Sequence, residues 1–188
     1  MANFTKRAIK TAFLELLDEK PLNKISVRDI VERCGINRNS FYYHFQDIPA
    51  LLGEIIIERT NDLMAQYPTV DHLEEAFRTA ISYAQNNRRA IMHVYNSVSR
   101  DTFESSVMQL CAYMTEQYLK SAYPERLISP EDRAVLHRFL KCQLFGLFVD
   151  WMLDGMKPDA GEQMGRLLEL YQGTAELILK NCRKSGTP

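Results

Sequence analysis

The sequence predicts an all-α protein of about nine helices, in which a three-helix N-terminal domain precedes a larger helical bundle. Apolar residues recur three or four positions apart along most of the 188-residue chain, which is the spacing of one helix face. No segment alternates apolar and polar residues for long, as a half-buried strand would. Proline and polar clusters divide the chain into pieces of helical length. Each predicted helix has its own apolar stripe, cap or stop signal in the sequence.

The first predicted helix covers residues 5–19 and ends before Pro21. Its apolar side chains fall on one stripe, as expected of a helix that packs against a core. The stripe consists of Ile9, Ala12, Phe13, Leu16 and Leu17.

The stretch from residue 26 to residue 45 predicts two short helices joined by a tight turn. Ser26 stands three residues before Asp29, a capping-box spacing. Gly35 suits the left-handed end of a helix, and Asn37 suits the N-cap of the next one. Two helices around such a turn form a helix-turn-helix, whose second helix enters the DNA major groove. We therefore predict a DNA-binding domain at residues 1–47, followed by a second helical domain at residues 48–188.

The second helix of this motif carries side chains that suit DNA. Phe41 and Phe45 are four residues apart and can hold one face to the core. No acidic residue occurs from position 37 to position 46, which favours a polyanionic partner. We assign base contacts to Arg38 and Asn39, because arginine pairs with guanine edges and asparagine with adenine edges.

Further DNA contacts are expected from both helices. Arg28 is the expected second base or backbone contact, and Ser40 is expected to reach a base edge or a phosphate. Hydroxyl and imidazole groups suit phosphate oxygens, although Tyr42 also suits the edge of the core. The full predicted DNA-binding set is Ser26, Arg28, Asn37, Arg38, Asn39, Ser40, Tyr42, Tyr43 and His44.

The same residues resemble a known family. Gly35-Ile36, the polar run 37–40 and the sequence Phe-Tyr-Tyr-His-Phe at 41–45 are similar to the N-terminal domain of the TetR/AcrR family of bacterial transcription regulators. The resemblance covers about the first third of the chain. It implies a sequence-specific regulator, expected to be a repressor, that binds a pseudo-palindromic double-stranded DNA operator as a homodimer. It also implies that residues 48–188 form a helical regulatory and dimerisation domain. One departure is that residues 46–49 read Gln-Asp-Ile-Pro, where family members often place a phosphate-binding lysine.

Composition restricts the classes of protein to which the chain can belong. The net charge of −1 argues against a protein that coats nucleic acid indiscriminately, although residues 1–47 hold eight Lys and Arg against six Asp and Glu. The four cysteines are far apart and lack metal-ligand spacing. No apolar run reaches membrane-spanning length, and the N-terminus lacks a signal-peptide core. We expect a cytoplasmic protein with no membrane partner, no metal and no cofactor.

An enzyme is the less favoured alternative. The candidate groups would be His44, His72, His93 or His137 with nearby carboxylates. None of them lies in a nucleophile, metal or phosphate-loop motif, and lone histidines on helices are more often structural. We therefore predict no catalytic residue.

The region after residue 70 carries an aromatic and sulfur-bearing inventory that is unusual for a plain core. Ligand sites are mostly apolar with a few polar groups, and the family resemblance implies a cavity for a small apolar or aromatic effector. A packed core explains the same residues. The predicted pocket set is Phe77, Tyr95, Phe103, Met108, Cys111, Met114, Tyr118, Phe139, Cys142 and Gln143.

The last two predicted helices, at about 130–153 and 160–180, are candidates for dimerisation. The first is apolar on more than one face, so it must be covered on both sides. The resemblance implies a four-helix bundle formed with a second subunit, whereas a single hydrophobic core is the simpler alternative. The predicted dimer residues are Leu144, Leu147, Phe148, Trp151, Leu168, Tyr171, Ala175 and Ile178.

A third class is a regulator whose signal is another protein. The run from Phe41 to Ile48 is similar to a TetR-like subgroup that includes an activator of dihydroxyacetone kinase operons, which answers to a protein coregulator. The sequence leaves the choice between a small effector and a protein coregulator open.

Overall fold

The computed structural model of the chain describes residues 2–68, 72–123, 127–157, 159–171 and 173–182, without the side chains of Ala2, Asn3, Leu73, Ala122 and Ala175. Within these ranges there are ten α-helices, one short 3-10 turn at Leu22–Lys24 and no strand, which confirms the all-α class. The helices are α1 (Ala2–Glu19), α2 (Val27–Cys34), α3 (Arg38–His44), α4 (Ile48–Gln66), α5 (Leu73–Asn86), α6 (Arg88–Tyr95), α7 (Arg100–Ala122), α8 (Pro130–Leu153), α9 (Ala160–Leu170) and α10 (Thr174–Asn181).

The chain folds into two compact units, neither of which is continuous in sequence. The first unit comprises Met1–Asn61 and Asn86–Phe103, and the second comprises Asp62–Gln85 and Glu104–Pro188. The chain passes from the first unit to the second inside α4, returns to the first at the end of α5, and passes to the second again inside α7. The DNA-binding domain predicted at residues 1–47 lies within the first unit, and its boundary at residue 47 stays a prediction.

The first unit is built around the apolar stripe of α1. All five stripe residues predicted from the sequence are buried. They form one core with side chains from α2, α3, α4 and the segment before α2, namely Ile25, Ile30, Val31, Phe41, Phe45, Leu51 and Ile55. Helices α1 to α3 thus share a single core, and this core fixes the helix-turn-helix.

Helix α6 belongs to the first unit although it lies far along the chain. Ala90 and Val94 pack against the core of that unit. A hydrogen bond of 2.7 Å joins His93 Nδ1 to the carbonyl oxygen of Leu17. A carbonyl only accepts, so Nδ1 carries the proton, and this bond ties α6 to the end of α1.

The second unit contains a smaller core at the junction of α7, α8 and α10. Leu119, Tyr123 and Ile128 are buried there, with Ile178 among the partly buried residues around them. Ser129 caps α8 by accepting a hydrogen bond of 3.1 Å from the Asp132 backbone N–H group. Burial and the neighbouring Tyr118 raise the pKa of Tyr123 to about 12.

The predicted single helix over residues 160–180 is wrong. It is two helices, because α9 ends at Leu170 and α10 starts at Thr174. Gly173 takes a left-handed conformation with φ of 79°, which a continuing helix does not allow. The apolar spacing runs across the break, so periodicity did not reveal it.

Candidate nucleic-acid interface

Helix α2 begins with the capping box expected from the sequence. The Asp29 backbone N–H donates to Ser26 Oγ at 3.2 Å, and the Ser26 backbone N–H donates to Asp29 Oδ2 at 2.7 Å. The Ser26 hydroxyl also donates to Asp29 Oδ2 at 2.7 Å. Hydrogen bonds from the Ser26 side chain and backbone, followed by Lys20, lower the pKa of Asp29 to about 2. The first turn of α2 is therefore closed by local bonds.

The turn between α2 and α3 depends on Gly35, which has φ of 68°. A Cβ atom at this position would meet nothing within 4 Å, so glycine is needed for backbone conformation and not for space. The Ile36 backbone N–H donates to the carbonyl oxygen of Val31 at 3.0 Å, which completes the end of α2.

Helix α3 is started by Asn37. Its Oδ1 atom accepts the Ser40 backbone N–H at 2.8 Å and the Ser40 hydroxyl at 3.1 Å. On the inner face, Phe41 and Phe45 are buried with ring centroids 5.9 Å apart. A capped start and two anchored rings hold α3 in one orientation relative to the core.

The outer face of α3 presents the predicted base-reading side chains. Arg38 and Asn39 are exposed, and neither side chain bonds to another residue in the described ranges. Tyr43 is 81% exposed and Tyr42 is 56% exposed. His44 is half-buried and meets the Tyr43 ring edge-on at 5.0 Å between centroids. This face offers a guanidinium, an amide and two phenols for hydrogen bonding.

Tyr42 has a second contact that bears on its role. Its ring meets the buried Phe41 ring edge-on at 5.5 Å between centroids. Tyr42 therefore combines an exposed hydroxyl end with a ring packed against the core. The sequence suggests this position at the edge of the core as an alternative to a purely DNA-facing role.

Three residues of the predicted DNA-binding set are already used in caps. Ser26, Asn37 and Ser40 organise the helix starts through the bonds given above, so their first role in the structure is to build the motif. Arg28 is also engaged, because its Nε atom donates to Glu32 Oε1 at 2.6 Å. Sequence reasoning missed Glu32, although its spacing of four residues from Arg28 is a signal for such a pair.

Two of the basic side chains near the start of α1, Lys6 and Lys10, contact α4. Lys6 lies 2.8 Å from Glu54 Oε1, and Lys10 lies 2.7 Å from the same oxygen and 2.6 Å from Glu58 Oε2. The Lys6 ammonium also lies 5.5 Å from the Phe45 ring centroid. These pairs link the first and fourth helices within the first unit.

The corner between α3 and α4 carries an acid. Asp47 Oδ1 accepts the Ala50 backbone N–H at 2.7 Å and so caps α4. A carboxylate at this helix start occupies the place where the family resemblance would put a phosphate-binding lysine.

The predicted pocket residues do not fall in one compact unit. Tyr95 and Phe103 belong to the first unit, where their rings meet edge-on at 4.8 Å between centroids. The other eight belong to the second unit. There Cys111 is buried, which raises the pKa of its thiol to about 11. Phe77, Met108, Met114 and Tyr118 are partly buried, and Phe139, Cys142 and Gln143 are exposed.

The predicted dimer residues differ in exposure. Leu147 is 45% exposed and Tyr171 is 52% exposed. The partly buried members of the set are Leu144, Phe148, Trp151, Leu168 and Ile178. The side chain of Ala175 lies outside the described part of the chain. Trp151 is engaged within its own unit, since its indole N–H donates to the Lys157 carbonyl oxygen at 2.9 Å.

A second apolar stripe on α8 was missed from the sequence. Its members are spaced four, three, four, three and four residues apart, and they are Val135, Phe139, Cys142, Gly146, Val149 and Leu153. Val135 is 68% exposed and Leu153 is 70% exposed. Helix α8 is apolar nearly all round, so the sequence alone did not distinguish its inner from its outer face.

Neither a metal-binding cluster nor a membrane-spanning helix occurs in the described ranges. No group of three or more His, Cys, Asp or Glu residues in the described part of the chain is arranged to hold a metal ion. None of the helices described is long and apolar enough to cross a membrane.

The fold and the capped, outward-facing α3 define a helix-turn-helix DNA-binding protein. A family model described as "Bacterial regulatory proteins, tetR family" matches residues 9–55. A second model, described as "Transcriptional regulator C-terminal region", matches residues 71–173. The chain therefore belongs to the TetR family of transcription regulators, which confirms the resemblance seen in the sequence.

A solved structure named "Dihydroxyacetone kinase operon activator DhaS" has a similar fold. The match covers 92% of this chain and 97% of that chain, with a TM-score of 0.67 and 17% sequence identity. No curated protein sequence matches the chain significantly. At this identity the structural likeness supports the fold.

Proposed function

We propose that this TetR-family regulator binds a pseudo-palindromic operator as a homodimer, represses transcription there, and leaves the DNA when a small apolar or aromatic effector binds. Sequence-specific DNA binding is supported by the structure of α3. Its start is capped by Asn37, its inner rings are buried, and Arg38 and Asn39 stand exposed without side-chain partners in the described chain. Preorganised, unengaged side chains can form bidentate base contacts without first breaking internal bonds.

The proposed contacts divide by chemistry. Arg38 and Asn39 read base edges, and Tyr43, His44 and the Tyr42 hydroxyl position the helix on phosphates. Arg28 supplies a further contact while Glu32 orients its guanidinium. An exposed ion pair of this kind contributes little to stability, so docking can rearrange it at low cost.

The exposed stripe of α8 supports the homodimer. A spacing of alternating four and three residues is the pattern by which helices pack side by side. Phe139 is 58% exposed, and an added Cβ at Gly146 would meet nothing within 4 Å. We place Phe139 and Cys142 in this seam between subunits, together with Leu147 and Tyr171 of the predicted dimer set. A second copy would cover the apolar surface that one chain leaves in water.

The effector part of the proposal concerns the second unit. The buried Cys111 and the partly buried Phe77, Met108, Met114 and Tyr118 are side chains of the kind that line small-molecule sites, and we assign the effector site to them. An effector must bind the DNA-incompetent arrangement more tightly than the competent one, since equal affinity shifts nothing. Because the chain crosses from one unit to the other inside α4, this helix is the proposed carrier of the change.

A second candidate is control by a protein coregulator, with activation instead of repression. Activation is favoured by the name of the structural neighbour, which describes that protein as an operon activator. Control by a coregulator agrees with the sequence similarity of residues 41–48 to the coregulated subgroup. The two candidates share the DNA-reading head and differ in what binds the second unit.

Selection from a random-sequence DNA pool tests the DNA-reading part. Selected duplexes should carry an inverted repeat and should bind roughly 10³-fold or more tightly than a scrambled duplex at the same salt concentration. Equal binding to selected and scrambled duplexes would reject a sequence-specific regulator.

A further inference from the structure

The positive charges of the DNA-binding head are mostly neutralised by pairing. Residues 4–47 contain eight Lys and Arg. Besides the Lys6, Lys10 and Arg28 pairs described above, Lys20 lies 3.2 Å from Asp29 Oδ1 and Arg33 lies 2.8 Å from Glu19 Oε2. Five of the eight cations are therefore held by carboxylates.

The three that remain are Arg7, Lys24 and Arg38. All three are exposed, and their side chains have no hydrogen-bond or ion-pair partner in the described ranges. Arg38 lies on the outer face of α3 and is assigned to bases. Arg7 and Lys24 have no role in the recognition described so far.

Whether a cation is already paired with a carboxylate decides how much electrostatic free energy it gains when the protein binds DNA. Affinity for the phosphate backbone comes largely from released counterions, and each phosphate neutralised adds about 0.9 to the salt slope. A cation that keeps its carboxylate partner brings a negative charge toward the phosphate backbone. Breaking the exposed pair costs little, but it leaves an unpaired carboxylate near the backbone, and that carboxylate repels phosphate. A free cation has neither cost, so the free side chains should dominate the electrostatic footprint.

Lys24 is the free cation next to the N-terminal end of α2. It is the last residue of the 3-10 turn and stands two residues before the N-cap Ser26, so the two Cα atoms are at most about 7.6 Å apart. In a docked helix-turn-helix the first helix of the pair crosses the phosphate backbone. Arg28, in the first turn of the same helix, is occupied by Glu32, and the α3–α4 corner carries Asp47.

We propose that Lys24 of each subunit binds a phosphate of the operator backbone and is a main cationic anchor of the head. This inference rests on the proposed function, since it takes the docking of α2 and α3 as given. It assigns Lys24 to affinity without sequence preference, whereas Arg38 and Asn39 set the preference.

The test is a salt titration of the full-length protein on a pool-selected duplex and on a scrambled one. Lys24→Gln should reduce the slope of log K against log salt by about 1.8 for the dimer, which is 0.9 for each of two heads. Affinity for both duplexes should fall by the same factor, so the ratio between them stays at the wild-type value. Lys24→Arg should keep the wild-type slope because the charge is retained.

Arg33→Gln is the matched control, because it also removes one cation near the motif but one that Glu15 and Glu19 hold. Its slope should equal that of the wild type. A Lys24→Gln slope equal to the wild-type slope, with an unchanged melting temperature, would overturn the anchor. Wild-type protein that fails to prefer the selected duplex would instead reject the proposed function, so the two failures are distinguishable.

Discussion

At the scale of single residues, the polar side chains of the helix-turn-helix divide into two groups. One group builds the motif: Ser26 and Asp29 close the start of α2, and Asn37 and Ser40 close the start of α3. The other group, Arg38 and Asn39, makes no side-chain bonds in the described chain and stays available to a ligand. Substitutions in the first group should change stability first, and substitutions in the second should change recognition alone.

Arg38→Ala should weaken binding to the selected duplex by roughly 1–3 kcal/mol and relax preference at one base pair. The loss is specific because the guanidinium stabilises nothing within the described chain. Fluorescence anisotropy with duplexes that carry each of the four bases at every position measures both effects. Arg33→Ala serves as the control on α2, and unchanged preference in Arg38→Ala would refute the assignment of this side chain to a base.

Asp29→Asn should make the first unit less stable above pH 4 and flatten its stability profile in acid. The folded-state pKa of Asp29 lies near 2, below its ordinary value of 3.8. Its carboxylate therefore contributes stability that is fully present above 3.8 and is lost as the pH falls toward 2. Thermal melts between pH 2 and pH 7 check this, and parallel profiles for wild type and variant would contradict it.

The caps could be predicted from the sequence because each depends on residues three apart. Ser26 with Asp29, and Asn37 with Ser40, need only local geometry. The pair formed by Lys10 and Glu58 could not be predicted, because the two residues are 48 positions apart. Only the packing of α1 against α4 brings them together, and that packing determines which cations remain free for DNA.

At the scale of helices, most boundaries were predictable and one was not. Helix α8 begins at Pro130 after its cap Ser129, as start signals predict. The break at Gly173 was missed because apolar spacing continues from α9 into α10. The outward stripe of α8 was missed for a related reason: a helix apolar on nearly all sides gives no contrast from which to choose a face.

Phe139→Glu should convert the protein to a monomer at micromolar concentration. In the proposed seam two such glutamates would be buried close to each other, and like charges that lose water are strongly destabilising. Ile57→Glu is a suitable control, since Ile57 is 41% exposed on α4 and is a residue of the first unit, not of the stripe. Sedimentation equilibrium gives the mass of each protein, and a Phe139→Glu dimer of wild-type affinity would contradict the seam.

The same seam predicts a change in the reactivity of Cys142. This cysteine is exposed in the single chain, whereas Cys111 is buried. Alkylation by iodoacetamide should be slow at Cys142 in the wild-type dimer and fast in Phe139→Glu. Cys111 should react slowly in both, because burial raises its pKa to about 11 and leaves little thiolate at neutral pH. Equal, fast labelling of Cys142 in both proteins would argue against coverage of α8.

At the scale of the whole molecule, we propose that the first compact unit recognises DNA and that the second receives the signal. The helix-turn-helix lies in the first unit and eight of the ten predicted pocket residues lie in the second. The sequence identified the class of protein because the recognition motif is local and specific. It could not identify the signal, because aromatic and sulfur-bearing side chains suit a core and a pocket equally.

A small apolar or aromatic effector should raise the melting temperature of the protein and release the selected duplex. Binding to the folded state stabilises it by mass action, and release requires tighter binding to the DNA-incompetent arrangement. Met114→Ala should weaken both responses and leave DNA affinity in the absence of effector at its wild-type value. A compound panel that yields no thermal shift, together with capture of a specific protein that alters DNA binding, would favour the coregulator.

The half-site spacing tests the central claim most directly, namely that two α3 helices of one dimer read the same side of a DNA duplex. Half-sites in the selected operator should have centres about 10 to 10.5 base pairs apart. Inserting five base pairs between them rotates one half-site by about half a turn, out of reach of its helix. Affinity should then fall by roughly two orders of magnitude or more, because one head loses its base contacts. If the insertion leaves the affinity unchanged, the two α3 helices of a dimer do not read the two half-sites together.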